Sequence, residues 1–275
     1  MSGNNNVEGY RPREDWPTLG QLAEGYDEYT LPDSTKLARQ SVTFVFENKA
    51  IIRHDFKDAG SLTWTILDGG GNDGFDAGHS GDASYRALEV RDGIFFIDFY
   101  KKAEDEEVTI IYNVKTGQAI LGISGFHDLT GTTRTHTILI NAHREGTTSA
   151  PFQVTEELLG KVVLYKYNAR DVYEHSYQNP GTFAWHCLRG TEKGIADSDP
   201  CKFIKLDDEL YLIWWSETVM PVESMVVADL KNLRSTGRFF CWDSKPRKPV
   251  HMVFGSYATV AADVKAKRNE VLAKL

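Results

Sequence analysis

The side chains most suited to chemistry lie in the second half of the sequence, and five of them are Tyr165, Tyr167, Tyr173, His175 and Tyr177. They alternate with charged or polar residues in two short segments, which is the pattern of strands with one buried face. Residues 168–171 between the segments have turn chemistry, so a hairpin would direct all five rings to one side. A plain core would use Val, Ile and Leu there, because every buried hydroxyl needs a partner. The pattern therefore predicts a ligand cavity.

A carboxylate follows the most apolar segment of the same region. Glu217 comes after Leu210–Trp215, a run that must be buried on both faces and is therefore predicted to be a central strand. By alternation Glu217 shares a face with Ile213. If that face is the interior, desolvation raises the pKa of the carboxyl above about 4.3, and the group can both give and take a proton. The alternative is that Glu217 turns outward and pairs with a surface Lys or Arg.

The motifs of this region carry a resemblance to a known family. Tyr165–Glu217 contains Y-K-Y, Y-E-H-S-Y, W-H-C-L-R-G-T-E-K-G-I-A-D-S-D-P-C and L-Y-L-I-W-W-S-E. With them Leu159–Ala258 resembles the C-terminal half of the MoaF family, and Ser41–Gly125 resembles the N-terminal half more weakly. That family is named for an association with molybdenum-cofactor biosynthesis. The resemblance implies an all-β fold of two tandem calycin-like (lipocalin-like) antiparallel β-barrels, and it implies no particular reaction.

A more distant similarity connects the C-terminal half with phenolic acid decarboxylases, which are small calycin-barrel lyases. Those enzymes begin with a similar Y-x-Y hairpin and carry Trp-Thr-Glu where this chain has Trp215, Ser216 and Glu217. The similarity implies that Tyr165 and Tyr167 hold a carboxylate or carbonyl oxygen of the substrate. It also implies that Glu217 exchanges a proton with that substrate.

One departure weakens the decarboxylase comparison. The decarboxylases place an arginine just before the aspartate that aligns with Asp197, and this chain has Ala196 there. Lys193 is a candidate substitute, but a lysine does not reproduce the bidentate fork of a guanidinium. Simple decarboxylation of a phenolic acid is therefore a weaker prediction than the cavity itself.

The predicted site combines these residues. The catalytic candidates are Glu217, Tyr165 and Tyr167. The substrate-binding candidates are Tyr173, His175, Trp185, Lys193, Asp197 and Trp215. Acid–base chemistry of this kind needs no cofactor. No metal site is predicted, because the histidines are scattered without zinc-site spacing, and the adjacent His186 and Cys187 would point to opposite faces of a strand. Each residue taken alone also has a structural interpretation, as a lining tyrosine or a strand-end carboxylate.

The two halves of the chain are related by an internal duplication. A shift of 121 positions places His54 on His175 and Trp64 on Trp185, and a shift of 116 places residues 93–99 on 209–215. A repeat of about 115–120 residues is the size of a domain and too long for a solenoid. The first copy has Phe44, Phe46, Ile52 and Lys101 where the second has Tyr165, Tyr167, Tyr173 and Glu217. That asymmetry predicts a structural first barrel and a chemical second one.

The predicted domains are a lead-in over residues 1–36, a first barrel over 37–150 and a second over 151–275. Thr18–Gly25 is predicted to be a short helix that plugs a barrel end or packs across a domain. The glycine-rich segment Asp68–Asp76 is predicted to be a flexible loop at a barrel mouth. Val260–Leu275 is predicted to end the chain with an amphipathic helix.

Bulk properties exclude several classes of protein. The net charge of −8 argues against a nucleic-acid partner. No apolar run reaches about 18 residues, and the first residues lack the apolar core of a signal peptide, so neither a membrane partner nor export is predicted. Three cysteines, Cys187, Cys201 and Cys241, suit a reducing cytoplasm and are expected to be inert thiols. The sequence allows a homodimer and does not fix the oligomeric state.

The leading functional prediction is a cofactor-free lyase or isomerase that acts by acid–base chemistry on a small aromatic or heterocyclic compound. The main alternative, which follows from the family resemblance, is a non-catalytic binder or accessory protein for a pterin-type intermediate. A third alternative is a purely structural pair of barrels, which predicts a filled second barrel.

Overall fold

Two compact units make up the chain in the computed structural model, which describes residues 17–127, 134–217, 220–243 and 247–275. One unit takes Leu31–Val154 with Ile204–Leu206. The other takes the residues up to Thr30 with Thr155–Phe203 and Asp207–Leu275. Each unit is built on an antiparallel barrel, so the predicted all-β fold of two tandem barrels is confirmed.

The N-terminal barrel is closed by eight strands in chain order: β1 (Ser41–Phe46), β2 (Ile51–Phe56), β3 (Ser61–Asp68), β4 (Ser80–Arg91), β5 (Ile94–Lys101), β6 (Glu106–Asn113), β7 (Gln118–His127) and β8 (Arg134–Arg144). Pairing of β1 with β8 closes the ring. In β1, β2 and β3 every second residue is buried, as expected for a sheet with one face on a core. A two-residue strand, β9 (Gln153–Val154), follows in the same unit.

The C-terminal barrel repeats this design with β10 (Lys161–Lys166), β11 (Val172–Asn179), β12 (Thr182–Arg189), β13 (Ala196–Asp207), β14 (Leu210–Ser216), β15 (Val222–Asp229), β16 (Arg234–Asp243) and β17 (Lys248–Asp263). Pairings of β10 with β17 and of β12 with β13 close the ring. The predicted hairpin is present, because the turn after Lys166 joins β10 to β11. The predicted central strand is β14, and it is buried along nearly its whole length.

The two barrels share their strand register. His54 of β2 pairs with Trp64 of β3, and His175 of β11 pairs with Trp185 of β12. All four rings are buried. The alignment of the two halves in the sequence thus corresponds to the same cross-strand neighbours in space.

The lead-in folds with the C-terminal barrel. Helix α1 (Leu19–Ala23) is capped by Thr18, whose hydroxyl accepts from the Gln21 amide, and the chain turns at Gly25, which has a φ of 78°. Both features agree with the predicted helix. Beyond it, the Arg234 guanidinium donates to the Tyr29 carbonyl at 2.6 Å, so the segment is fixed to β16.

The C-terminal helix differs from its prediction. β17 continues to pair with β10 as far as Asp263, so helix α2 begins only at Lys265 and ends at Leu272. No residue of α2 is buried, and the side chains of Val271 and Leu272 are exposed. The ladder hydrogen bonds available to β17 outweighed the helical periodicity of residues 260–264.

A close approach of the lead-in to the barrel generates a first prediction. A Cβ at Gly255 of β17 would lie 2.2 Å from the Tyr29 carbonyl oxygen. We expect Gly255→Ala to lower the free energy of unfolding by about 1–3 kcal/mol, because the segment must move away. The measurement is urea unfolding followed by circular dichroism. Gly60→Ala is the control, since a Cβ there has open space within 4 Å. Equal stability of the two variants would contradict the close approach.

Candidate functional site

An aromatic cavity lies inside the C-terminal barrel. Its volume is about 30 Å³, which is about the volume that one molecule occupies in liquid water. Two lead-in residues and nine strand or turn residues form its walls, namely Leu22, Tyr26, Tyr167, Tyr173, His175, Trp185, Glu192, Trp215, Glu217, Val222 and Phe239. Six of the nine residues predicted for the site therefore lie together around one space.

Glu217 directs its carboxyl group into this cavity, at the point where β14 ends. The residue as a whole is half-buried, but its carboxyl is enclosed by protein atoms. Desolvation raises the pKa of this carboxyl well above its usual range, and the charges of Asp199, Glu192 and Asp197 raise it further. The indole N–H of Trp215 interacts weakly with this carboxyl and opposes the rise, although it makes no hydrogen bond of regular geometry with any described residue. Glu217 is thus a carboxylic acid that keeps its proton at a pH where surface carboxyls have lost theirs.

The imidazole of His175 and the phenols of Tyr167 and Tyr173 are held neutral in the lining. Burial lowers the pKa of His175 to about 3, so the imidazole carries no charge at neutral pH and is a weak base. Burial also raises the pKa of the Tyr167 and Tyr173 phenols well above the usual range. Their hydroxyls are hydrogen-bonding groups rather than sources of phenolate. Of these four groups, the Glu217 carboxyl is therefore the one best suited to transfer a proton.

Two further carboxylates position rings of the lining. The Tyr173 hydroxyl donates to Glu192, and the Trp185 indole donates to Asp199 at 2.8 Å. All four residues are buried. These hydrogen bonds fix the orientation of a phenol and an indole at the cavity wall.

Three of the predicted residues lie elsewhere. Tyr165 is buried, but its hydroxyl is hydrogen-bonded to the Tyr177 hydroxyl at 2.8 Å and it does not line the cavity. Lys193 lies in the turn after β12 with its side chain exposed. Asp197 lies near the start of β13, on the strand face that carries Asp199, and with His186 it borders an outer groove instead of lining the cavity. The structure thus brings no cationic side chain into the described lining.

The prediction missed the lead-in residues Leu22 and Tyr26 and the acids Glu192 and Asp199. Glu192 lies in a turn, where alternation no longer indicates the direction of a side chain. Asp199 could have been found, because it lies two residues after Asp197 on the same face of β13. Tyr26 is about 140 residues away from its aromatic neighbour Tyr167, and no local pattern indicates that contact.

Metal and thiol chemistry receive little support from the described lining. His175, Glu192 and Glu217 do not approach one another closely enough to share one ion. The thiols of Cys187, Cys201 and Cys241 are buried and unbridged. Burial raises the pKa of Cys187 to about 11 and that of Cys201 to about 12, which disfavours the nucleophilic thiolate.

Comparison with known proteins assigns both halves of the chain to one family. Residues 14–128 match the MoaF N-terminal domain, and residues 152–264 match the MoaF C-terminal domain. The chain belongs to the MoaF family. The match to the N-terminal domain includes residues 17–30, which in space belong with the C-terminal barrel of this MoaF chain.

One curated MoaF relative and one solved structure are similar to the chain. Protein MoaF of Klebsiella aerogenes is 26% identical over 236 residues, which are 80% of this chain and 85% of the relative. A crystal structure described as “a putative beta-lactamase from Burkholderia vietnamiensis” aligns with a TM-score of 0.32 and 14% identity, over 42% of this chain and 96% of that one. Across the described residues, no helix of this MoaF chain is long and apolar enough to cross a membrane.

The enclosed carboxyl of the MoaF chain leads to a second prediction. We expect Glu217→Gln to stabilise the protein at pH 7, because the glutamine has no charge to desolvate. In the unfolded chain the pKa of Glu217 is about 4.3, and in the folded protein it is higher. The favourable contribution of this group to folding is therefore complete below a pH of about 4.3, and it is lost as the pH rises through the pKa of the folded state. The gain in free energy of unfolding from Glu217→Gln should therefore grow with pH between these two pKa values and then level off. Its final size should be about 1.4 kcal/mol for each unit by which folding raises the pKa of Glu217.

Urea unfolding at a series of pH values measures this difference. Glu174→Gln is the matched control, since Glu174 lies on the outer groove of the same barrel. A difference between wild type and Glu217→Gln that stays constant between pH 4 and pH 8 would show that the Glu217 carboxyl is not desolvated.

Proposed function

We propose that the C-terminal barrel is the site of a cofactor-free lyase or isomerase that acts by acid–base chemistry on a small planar aromatic or heterocyclic compound. The observation that carries the proposal is the carboxyl of Glu217, enclosed with a raised pKa in a cavity walled by aromatic rings. No cation lies within ion-pair distance of it in the described part of the chain. An acid held in this state can donate a proton to a bound compound and take one back.

The ligand class is supported by the ring that already enters the barrel. Tyr26 of the lead-in is 3% exposed, and its ring centroid lies 4.9 Å from that of Tyr167 and 6.0 Å from that of Phe239. The barrel interior thus accommodates a phenol against other aromatic rings. A ligand of similar size and planarity would make the same contacts.

The size of the cavity sets a condition on binding. About 30 Å³ accommodates a water molecule but no ring, so an aromatic compound enters only if the lead-in moves. Tyr26 and Leu22 are the lining residues that are not part of the barrel wall. Their displacement opens the cavity without a break in the strand ladder.

Each neighbour of Glu217 has a role in this proposal. Protonated Glu217 donates to the developing negative charge of the compound. The Tyr167 hydroxyl and the Trp215 N–H supply hydrogen bonds to its polar atoms, and the second of these has no other partner. His175 stays neutral and acts as a wall and a hydrogen-bonding group rather than as the acid.

A second candidate function is favoured by the family. MoaF membership suggests a role linked to molybdenum cofactor biosynthesis, in which the barrel would bind a pterin-type intermediate without changing it. A binder needs only contacts, and the closed position of the lead-in would then retain the ligand. The raised pKa of Glu217 would in that case serve hydrogen bonding by the neutral acid.

A third prediction separates the two functions. Wild type and Glu217→Gln are incubated in D₂O with 4-hydroxycinnamate and with a reduced pterin, and proton NMR follows conversion and deuterium uptake. The enzyme proposal expects conversion or exchange of one compound by wild type, lowered by about two to four powers of ten in the variant. Affinity should persist, because glutamine keeps the shape and hydrogen bonding of the side chain.

The control is Glu174→Gln, which should react as wild type does. Binding of a compound with neither conversion nor exchange in wild type would replace the enzyme by the binder. If neither compound bound to wild type or to Tyr26→Ala, in which the cavity is opened, both candidate functions would be contradicted.

A fourth prediction tests the condition on access. We expect Tyr26→Ala to bind 4-hydroxycinnamate at least about tenfold more tightly than wild type, because the ligand no longer has to displace a ring. The variant should also be less stable, by about 3–5 kcal/mol if it behaves as other large aromatic truncations. Isothermal titration calorimetry measures the affinity. Tyr29→Ala is the control, since Tyr29 packs on Tyr257 outside the cavity. Unchanged affinity in folded Tyr26→Ala would place the ligand elsewhere.

A further inference from the structure

The N-terminal barrel, predicted to be purely structural, contains the larger of the two barrel cavities. Its volume is about 140 Å³, against about 30 Å³ in the C-terminal barrel. Seven of the eight strands contribute walls, and β4 does not. Most of the wall is aliphatic or aromatic, so a space of this size is suited to a single aromatic ring.

One polar group inside the N-terminal barrel has no partner. His54 lines the cavity, is 2% exposed, and its Nδ1 atom makes no hydrogen bond with any residue that the structure describes. The pKa of His54 is lowered to about 4, chiefly by burial, so the imidazole is neutral. A buried hydrogen-bonding atom without a partner carries a free-energy cost, which a ligand with a matching group removes.

The surroundings of His54 repeat those of the other site. His54 pairs across the strands with Trp64, as His175 pairs with Trp185, and both members of each pair line their own cavity. Lys101 occupies the position that corresponds to Glu217 in the duplicated sequence. The shared framework therefore has a cation in the first barrel where the second has an acid.

Other polar side chains at this cavity are paired with one another. The Lys101 ammonium lies 2.8 Å from a Glu106 oxygen and 4.4 Å from the centre of the Trp64 ring. His79 lies 2.9 Å from Glu104. Because the Lys101 ammonium is already paired with Glu106, it is not free to bind a strongly anionic compound, and a neutral ligand fits better.

The glycine-rich segment Asp68–Asp76 forms the wall at the mouth of the N-terminal cavity. Phe75 packs against the apolar core of the barrel and lines the cavity beside Gly74. The segment is held in place by the Asn72 amide, which donates to the carbonyls of Asn48 and Gly69 at 3.0 and 2.6 Å. The segment at the predicted barrel mouth thus supplies an aromatic surface to the cavity.

We propose that the N-terminal barrel is a second ligand site, which binds a neutral single-ring aromatic compound with a hydroxyl group hydrogen-bonded to His54. A hydroxyl can both donate and accept, so it satisfies Nδ1 in either tautomer of the neutral imidazole. The site is independent of Glu217 and lies in the other barrel. Success or failure of the proposal therefore leaves the proposed function of the C-terminal barrel untouched.

The fifth prediction uses phenol and benzene as probes, measured by isothermal titration calorimetry and ligand-detected NMR on the full chain. We expect wild type to bind phenol about five- to tenfold more tightly than benzene, since one net hydrogen bond is worth about that factor. His54→Leu should bind phenol only as tightly as benzene and leave benzene binding unchanged. An equal loss of both compounds in His54→Leu would overturn the hydrogen bond.

A cavity-filling variant locates the probes. Val108 lies on β6 with its side chain at the cavity wall and 4% exposed. Val108→Phe places a ring in the space and should abolish binding of both probes. Val108→Ile is the conservative variant that keeps the fold testable if the larger ring is not tolerated, and it should weaken both probes. Phenol binding that persists at full strength in a folded filling variant, or that is absent in wild type, would overturn the site.

Discussion

Removal of polar groups from water inside a closed barrel is the constraint on which the site depends. Each ring of strands has no open edge, so its interior exchanges little with solvent. Burial is accordingly the largest cause of the raised pKa of Glu217 and of the lowered pKa values of His54 and His175. The same residue types at the surface would titrate near their ordinary values. The barrel therefore fixes not only where these groups lie but also which protonation state each one holds.

The duplication shows how one framework can carry two interiors. The cross-strand pair of His and Trp is retained in both barrels, and the neighbours differ. Phe44 packs apolar surface where Tyr165 brings a hydroxyl, and that hydroxyl is satisfied by Tyr177 at 2.8 Å. The added Tyr165 hydroxyl thus brings a second phenol into the interior as its partner, and Tyr26 of the lead-in also occupies the barrel. The interior with fewer hydroxyls keeps the larger cavity.

Much of the fold and part of the site followed from the sequence. Alternation at Tyr165–Tyr177 located the hairpin, and the motifs and their two offsets indicated two related barrels. Alternation also placed Glu217 with Trp215, because both belong to the continuation of one strand. The contacts of the lead-in could not be predicted from the sequence, because Tyr26 reaches the barrel through tertiary packing that leaves no periodic pattern. The helix predicted from Val260 failed for a related reason, because pairing of β17 with β10 decided the structure of those residues.

Compensation separates Glu217 from Asp171 and Glu223, two other acids of the same barrel. Asp171 accepts hydrogen bonds from Asn168 and from the Thr191 amide, and its pKa is lowered. Glu223 is fully buried but pairs with Arg238. Glu217 has no such cation within the described residues, so its burial reduces stability at neutral pH by an amount that a glutamine would restore. A side chain that lowers stability and stabilises no other part of the fold is typical of a functional site, because proteins lose stability where a reactive group is kept buried and unpaired. The described contacts of the Glu217 carboxyl give the fold no such stabilisation, and the role toward a ligand that we propose for this acid would account for the cost.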